Sequence, residues 1–286
     1  YAYSCSAGSK HQPGEVQNTS RLLQFRFINK ASLNLICNFF FAKKHIKMDM
    51  AGGGAAGGGA GGFDVMSWYM EIPVVSRLYF TSAFLTTAAC AVDIISPFSL
   101  YFNANLIFVQ GQVWRLVTTF LFFGLFSIDF LFHMYFLVRY CRLLEEGDFR
   151  GRTAHFVVFL LFGITMMTAV APFVSVHFLG SALTFMMVYV WGRRNESTRM
   201  SFLGVFSFTA PYLPWVMLTF SILLGNPLTM DVIGIFVGHT YYFLEYVYPV
   251  LADIRGWKRR KLLEPPHLLC WLCGTNEEDF VAVVNE

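Results

Sequence analysis

Two residues in the second half of the chain have the chemistry of a hydrolytic pair. Ser181 lies in Leu179-Gly180-Ser181-Ala182, and His239 closes Gly234-Ile235-Phe236-Val237-Gly238-His239. A serine becomes a nucleophile only when a base such as imidazole stands within hydrogen-bond reach. Both residues sit in long apolar stretches, so the reaction would be peptide hydrolysis inside a membrane. The setting of Ser181 argues against it, because no glycine stands two positions before it or directly after it and the tight Gly-x-Ser-Gly turn is missing. Ser181 and His239 are therefore read as candidates for lining a polar cavity. Asp93, Asp129, His133, His177, Asp231 and Glu245 are the other ionisable groups in or beside apolar stretches. Such groups are expensive in lipid and are functional candidates by default. Asp93, Asp129 and Glu245 lie near the ends of their stretches, where a carboxylate can cap a helix or reach the interface. His133 and His177 read as neutral histidines between helices. Gly234 and Gly238 stand one helical turn apart and allow another backbone to come close, so they are assigned to helix packing.

The cysteines suggest no further chemistry. The chain has 6, too few for a disulfide scaffold of this length. Cys270-x-x-Cys273 lacks the second pair that a zinc site needs. It reads as an incidental or lipidated pair, and no metal and no cofactor are expected.

The elements that position these groups follow from composition. Of 286 residues, 56% are hydrophobic and only 14% charged, against about 25% charged in a soluble domain. Such a chain cannot clothe a soluble globule in charge, nor is it polar enough to be disordered. The net charge of +3, without a long basic tract interleaved with aromatics, gives no reason to expect nucleic acid as a partner. Apolar blocks run over 78–96, 128–141, 154–172, 174–192, 201–225 and 228–248, which predicts six membrane helices. Residues 98–127 are too polar in their first half for a clean span and too apolar in their second half for a loop. They are expected to form an interfacial or re-entrant hairpin between the first two helices, with 116–138 as the alternative second span. Arg142, Arg150, Arg152, Arg193, Arg194, Arg199, Arg255, Lys258, Arg259, Arg260 and Lys261 would all fall on one side, against Arg115 on the other. The positive-inside rule then puts both termini in the cytosol and the hairpin on the luminal or exterior side.

Residues 1–62 read as an atypical N-terminal extension, ending in the Ala/Gly stretch 51–62 that has the composition of a flexible linker. Asn18-Thr19-Ser20 is a formal glycosylation sequon within it. Residues 63–250 read as the membrane domain and 251–286 as a cytosolic tail.

Several phrases together resemble the derlin family: Ile72-Pro73-Val74-Val75-Ser76-Arg77, Leu100-Tyr101-Phe102-Asn103, Trp114-Arg115-Leu116, Arg139-Tyr140-Cys141-Arg142-Leu143-Leu144-Glu145-Glu146-Gly147, Phe149 to Ala154, Ala210-Pro211-Tyr212-Leu213-Pro214-Trp215, and Gly234 to His239. The likeness runs over roughly 66–250 and looks nearest to the second and third animal types. The resemblance implies an all-α, six-transmembrane-helix, rhomboid-like fold with a luminal interfacial hairpin between the first two helices. It implies a pseudoprotease: in rhomboid proteases the catalytic histidine stands three residues before the first glycine of the sixth-helix GxxxG, and here that position is Asp231. It maps the family's luminal Trp-Arg pair onto Trp114 and Arg115, with the indole at the membrane interface and the guanidinium offered to phosphate or carboxylate.

By resemblance, the function is non-catalytic retrotranslocation of misfolded luminal and membrane proteins in endoplasmic-reticulum-associated degradation. The expected location is the endoplasmic reticulum membrane. The expected partners are an HRD-type ubiquitin ligase complex, the valosin-containing AAA ATPase, misfolded clients, other derlins and membrane lipids. An active intramembrane protease and a plain membrane scaffold are the alternatives. Two departures stand out: the tail 250–286 shows no Gly-rich, Arg-Leu-ending box of the kind that recruits the ATPase, and His155 occupies a place where an acidic residue is expected.

Overall fold

The computed structural model describes residues 65–174, 176–202, 206–257 and 263–273. The N-terminal extension, the basic run 258–261 and the last residues 274–286 lie outside the described residues.

A short helix α1 (Val65–Met70) leads to Pro73 and then α2 (Val74–Ala91). Pro73 sits at the cap, where its fixed φ suits the start of a helix. Proline cannot supply a capping side chain, and the free N–H groups of the first turn are satisfied from far away. The Glu145 carboxylate accepts from Val75 N at 3.1 Å, Ser76 N at 2.8 Å and Ser76 Oγ at 2.6 Å. The segment after α2 holds a 3-10 turn at Pro97–Ser99, then α3 (Ala104–Phe108) and α4 (Arg115–Leu121). Asn103 starts α3 by accepting from Asn105 N and Leu106 N. The chain opens at Gly124, with φ +92°. Ser127 then caps α5 (Ile128–Leu143), its Oγ accepting from Phe130 N at 3.1 Å.

A wide π turn at Leu144–Asp148 carries Glu145 and joins α5 to α6 (Thr153–Val174). Next come α7 (Gly180–Arg194) and an antiparallel pair, β1 (Arg199–Phe202) and β2 (Phe206–Thr209). A 3-10 turn at Ala210–Tyr212 starts α8 (Leu213–Leu223), and α9 (Thr229–Tyr242) runs through a second π turn, Phe243–Val247, into α10 (Tyr248–Ile254). A final short helix α11 spans His267–Leu272.

The bundle is organised around α7. Its residues from Ala182 to Gly192 are buried without a break. The most extensive packing is that of α9 on α7, and α5, α8, α6 and α4 also pack on α7. Among the described residues, two helices, α2 and α6, are long and apolar enough to cross a membrane, and only 22% of each apolar window is buried. A core helix of a soluble protein would hide such a surface. Here most of it faces outward, as it does against lipid. Residues Ala210–Leu223 form a shorter apolar helix.

Several sequence expectations shift. The 116–138 span does not exist as one helix, because the backbone is non-helical between Leu121 and Ile128. The fourth helix begins at Gly180 rather than 174 and the fifth at Leu213 rather than 201. Residues 199–202 and 206–209 pair as strands instead, so the chain is not purely helical. The first helix begins earlier than its apolar block, at Val74, and ends at Ala91.

Candidate functional site

Five chain segments meet at one end of the bundle: the stretch 122–124, the N-terminal turns of α5, α7 and α9, and the end of α8 with the turn that follows it. They enclose a cavity of about 200 Å³ whose polar lining is Asp129, His133, Ser181, Ser221, Asn226 and Asp231. Phe122, Phe123 and Phe178 supply apolar wall, and the rings of Phe122 and Phe178 are 4.7 Å apart. Among the described residues, no Lys or Arg lines it.

Asp129 and His133 form its ordered side. They stand at i and i+4 on α5 and so share a face. His133 Nδ1 lies 3.0 Å from Asp129 O and 3.4 Å from Asp129 Oδ1. A carbonyl oxygen only accepts, so Nδ1 carries the proton and Nε2 keeps its lone pair in the neutral ring. Asp129 Oδ1 also accepts from Asn226 Nδ2 at 2.6 Å, which pins the α8–α9 turn to α5. Asn226 follows Gly225, whose φ of +79° gives the turn its left-handed step.

The opposite side is less satisfied. Asp231 is 2% exposed, and its Oδ2 meets no hydrogen-bond partner. Ser221 stands nearby without a well-formed hydrogen bond of its own. Ser181 lies in the first turn of α7, partly buried.

The structure divides the expected pair. Ser181 lines this cavity, while His239 lies eight residues beyond Asp231 on α9, about 12 Å along the axis. His239 Nδ1 is hydrogen-bonded to Tyr189 Oη at 2.7 Å, so its ring is engaged away from Ser181. Asp129, His133 and Asp231 are the ionisable side chains that do share the cavity with Ser181. Asn226 and Ser221 went unnoticed in the sequence. Gly225-Asn226-Pro227 carried a turn signal, but nothing in it names Asp129, 97 residues away, as its partner.

Gly234 and Gly238 fit the packing role. A Cβ on Gly234 would strike the backbone oxygen of Ala182 and come within 2.6 Å of Phe185 Cβ. One on Gly238 would meet Tyr189 Cβ at 3.1 Å and Met186 O at 3.2 Å. The two glycines are where α9 closes on α7, and that approach brings Asp231 alongside Ser181.

Trp114 and Arg115 separate in role. Trp114 is 54% exposed on a face shared with Val113 and Val117. Arg115 is 7% exposed, and its guanidinium is turned inward. Nη1 donates to Phe98 O and Tyr101 O, both at 3.0 Å, and Nε donates to Gln112 Oε1 at 2.7 Å. The guanidinium also lies over the Tyr101 ring at 5.0 Å. The expectation that it reaches for phosphate or carboxylate is thus replaced by a structural use: it ties the start of α4 to the 3-10 turn. Backbone bonds from Phe102 N to His177 O and from Leu179 N to Thr119 O dock this segment on the link before α7.

Cys270 and Cys273 flank the end of α11, both partly exposed. Cys273 shares a second hollow, of about 870 Å³, with Glu146 and Arg150.

A helical bundle with outward-facing apolar helices and a small acidic pocket at one end is a membrane protein with a polar site. The chain matches the Der1-like family over residues 72–260. It is 50% identical over 211 residues to Derlin-2.1 of Arabidopsis thaliana, covering 70% of this chain and 86% of that one. It is also 50% identical over 205 residues to Derlin-2 of Oryza sativa subsp. japonica, covering 68% and 82%. To the probable derlin-2 homolog of Dictyostelium discoideum it is 40% identical over 221 residues, covering 75% and 85%. The chain belongs to the Der1-like family, the derlins.

Proposed function

We propose that the chain is a non-catalytic component of endoplasmic-reticulum-associated degradation that helps misfolded luminal and membrane proteins reach the cytosol. The observation that carries the non-catalytic reading is Asp231. Where a rhomboid protease keeps its histidine base, a carboxylate faces the cavity that Ser181 lines. A carboxylate is a weak base toward a serine hydroxyl, and His239 is held by Tyr189.

In this reading six helices cross the bilayer: α2, α5, α6, α7, α8, and α9 continued through α10. Residues 97–127 lie at the luminal surface, and both termini are cytosolic. The crossings are uneven. At 1.5 Å per residue, the 16 residues of α5 span about 24 Å and the 11 residues of α8 about 17 Å. A hydrocarbon core is about 30 Å thick, so the bilayer around these helices must thin. Thin lipid beside a polar pocket lowers the barrier to moving a hydrophilic client segment. Partners in this reading are an HRD-type ubiquitin ligase, the valosin-containing AAA ATPase, misfolded clients, other derlins and lipid.

The test is client half-life in cells that lack the protein, rescued with residues 66–286. Rescue should restore degradation, and Trp114→Ala, which alters an exposed indole, should slow it while ligase pulldown survives. An unchanged half-life would favour a scaffold. Proteolysis of a transmembrane substrate by purified protein, abolished by Ser181→Ala or His133→Gln, would overturn the non-catalytic reading.

A further inference from the structure

We propose that the cavity at the head of α9 is a receptor for one basic side chain, a lysine ammonium or an arginine guanidinium, carried by a client segment. The reading above is needed only to say where that side chain comes from; the chemistry rests on the pocket itself. Two carboxylates line a space of about 200 Å³, and among the described residues no Lys or Arg lines it to neutralise them. Asp129 is already used, by His133 and Asn226. Asp231 is 2% exposed with Oδ2 unpartnered, and Ser221 Oγ beside it makes no well-formed hydrogen bond. An acceptor buried in this way is expensive until a donor arrives. With Nδ1 turned to Asp129, the neutral form of His133 presents Nε2, a further acceptor. The polar inventory is rich in acceptors, which suits a group that only donates, and ammonium and guanidinium are such groups.

The walls suit the rest of that side chain. Phe122, Phe123, Phe178 and Met230 would hold its methylene stem, while its charge lies at Asp231. The space equals about six or seven waters, at roughly 30 Å³ each. That admits one side chain but not a phospholipid headgroup with its glycerol. A phosphatidylethanolamine ammonium would also bring its phosphate to Asp129 at the rim, where the side chain is 34% exposed, and like charges there repel.

The test uses the full chain in phosphatidylcholine nanodiscs and fluorescent membrane-spanning Leu/Ala peptides that differ at one position near an end. Lys and Arg peptides should bind about tenfold more tightly than Gln or norleucine peptides, as fits a charge-assisted hydrogen bond to a buried carboxylate. Asp231→Asn should erase the preference, and Asp129→Asn should weaken it. Equal affinities, or a preference that survives Asp231→Asn, would overturn the proposal. So would loss of the preference in nanodiscs enriched in phosphatidylethanolamine, since the occupant would then be lipid.

If Asp231→Asn does not fold, Ser181→Lys replaces it. A tethered ammonium should raise Tm and block the Lys-peptide preference, whereas Ser181→Met should lower Tm. A fall in Tm for both would count against the pocket. Client half-life separates the two readings: if it still depends on the chain when no Lys preference exists, only the pocket assignment fails.

Discussion

Glu145 shows how one side chain can hold two distant parts of this chain together. It is buried and accepts from two backbone N–H groups and one hydroxyl at the start of α2. Glu145→Ala would leave those donors buried and unpaired, so thermal unfolding in detergent should reveal a loss of about 1–3 kcal/mol. Glu146→Ala removes an exposed pair with Arg142 and should change stability by no more than about 0.5 kcal/mol. Arg115 should behave like Glu145. Lysine has one point charge where the guanidinium reaches three acceptors, so Arg115→Lys should not rescue the loss caused by Arg115→Ala. Limited proteolysis within 97–127 would report it, with both variants cut faster than the parent. In the sequence, Arg115 looked like a group offered outward, because nothing local marks the carbonyls of Phe98 and Tyr101 as its acceptors. Asp231 was legible, since its distance from Gly234 is fixed by helical spacing. Ser221 and Asn226, which line the same cavity, were not, because only the fold brings them to it.

At the level of elements, legibility followed environment. The apolar block 154–172 nearly reproduces α6, Thr153–Val174. A helix that faces lipid on most sides carries no charge and reads cleanly. The fifth helix was misjudged because apolar residues serve a strand as well as a span: residues 199–202 and 206–209 pair as antiparallel strands inside and beside the apolar block. The true start is marked by Pro211 and Pro214, each near the first turn of its helix. The break before α5 was foreshadowed by Gly124 and Ser127, one able to take a positive φ and the other able to cap.

The packing of α9 on α7 supplies the sharpest test at this scale. Gly234→Ala drives a methyl against a backbone oxygen that cannot move alone, and should cost about 1–3 kcal/mol. Gly238→Ala meets its neighbours at 3.1 Å or more and should cost less. Tm measurements in one detergent would rank them, and the reverse order would mean that the close approach of α9 lies elsewhere.

For the molecule as a whole, the uneven helix lengths make lipid thickness a variable of stability. If α8 and α5 cross the bilayer as proposed, the protein should be more stable in short-chain lipid than in long-chain lipid, since mismatch costs fractions of a kcal/mol per ångström. Thermal unfolding in bilayers of graded thickness would check this. A Tm that is flat across the series would argue that the short helices do not meet hydrocarbon over their whole length. Neither length was legible beforehand, because hydropathy marks where a chain is apolar and not where its helices stop.

The tie between Glu145 and α2 also orders the birth of the protein. While the ribosome is still making α5, the leading turn of α2 has no acceptor for its amides, and water or the insertion machinery must serve. The first helix becomes complete only when the π turn emerges, so α2 and α5 are finished as a pair. A nascent chain stalled before residue 145 should leave a cysteine at Ser76 open to a thiol reagent, and one stalled after α6 should shield it.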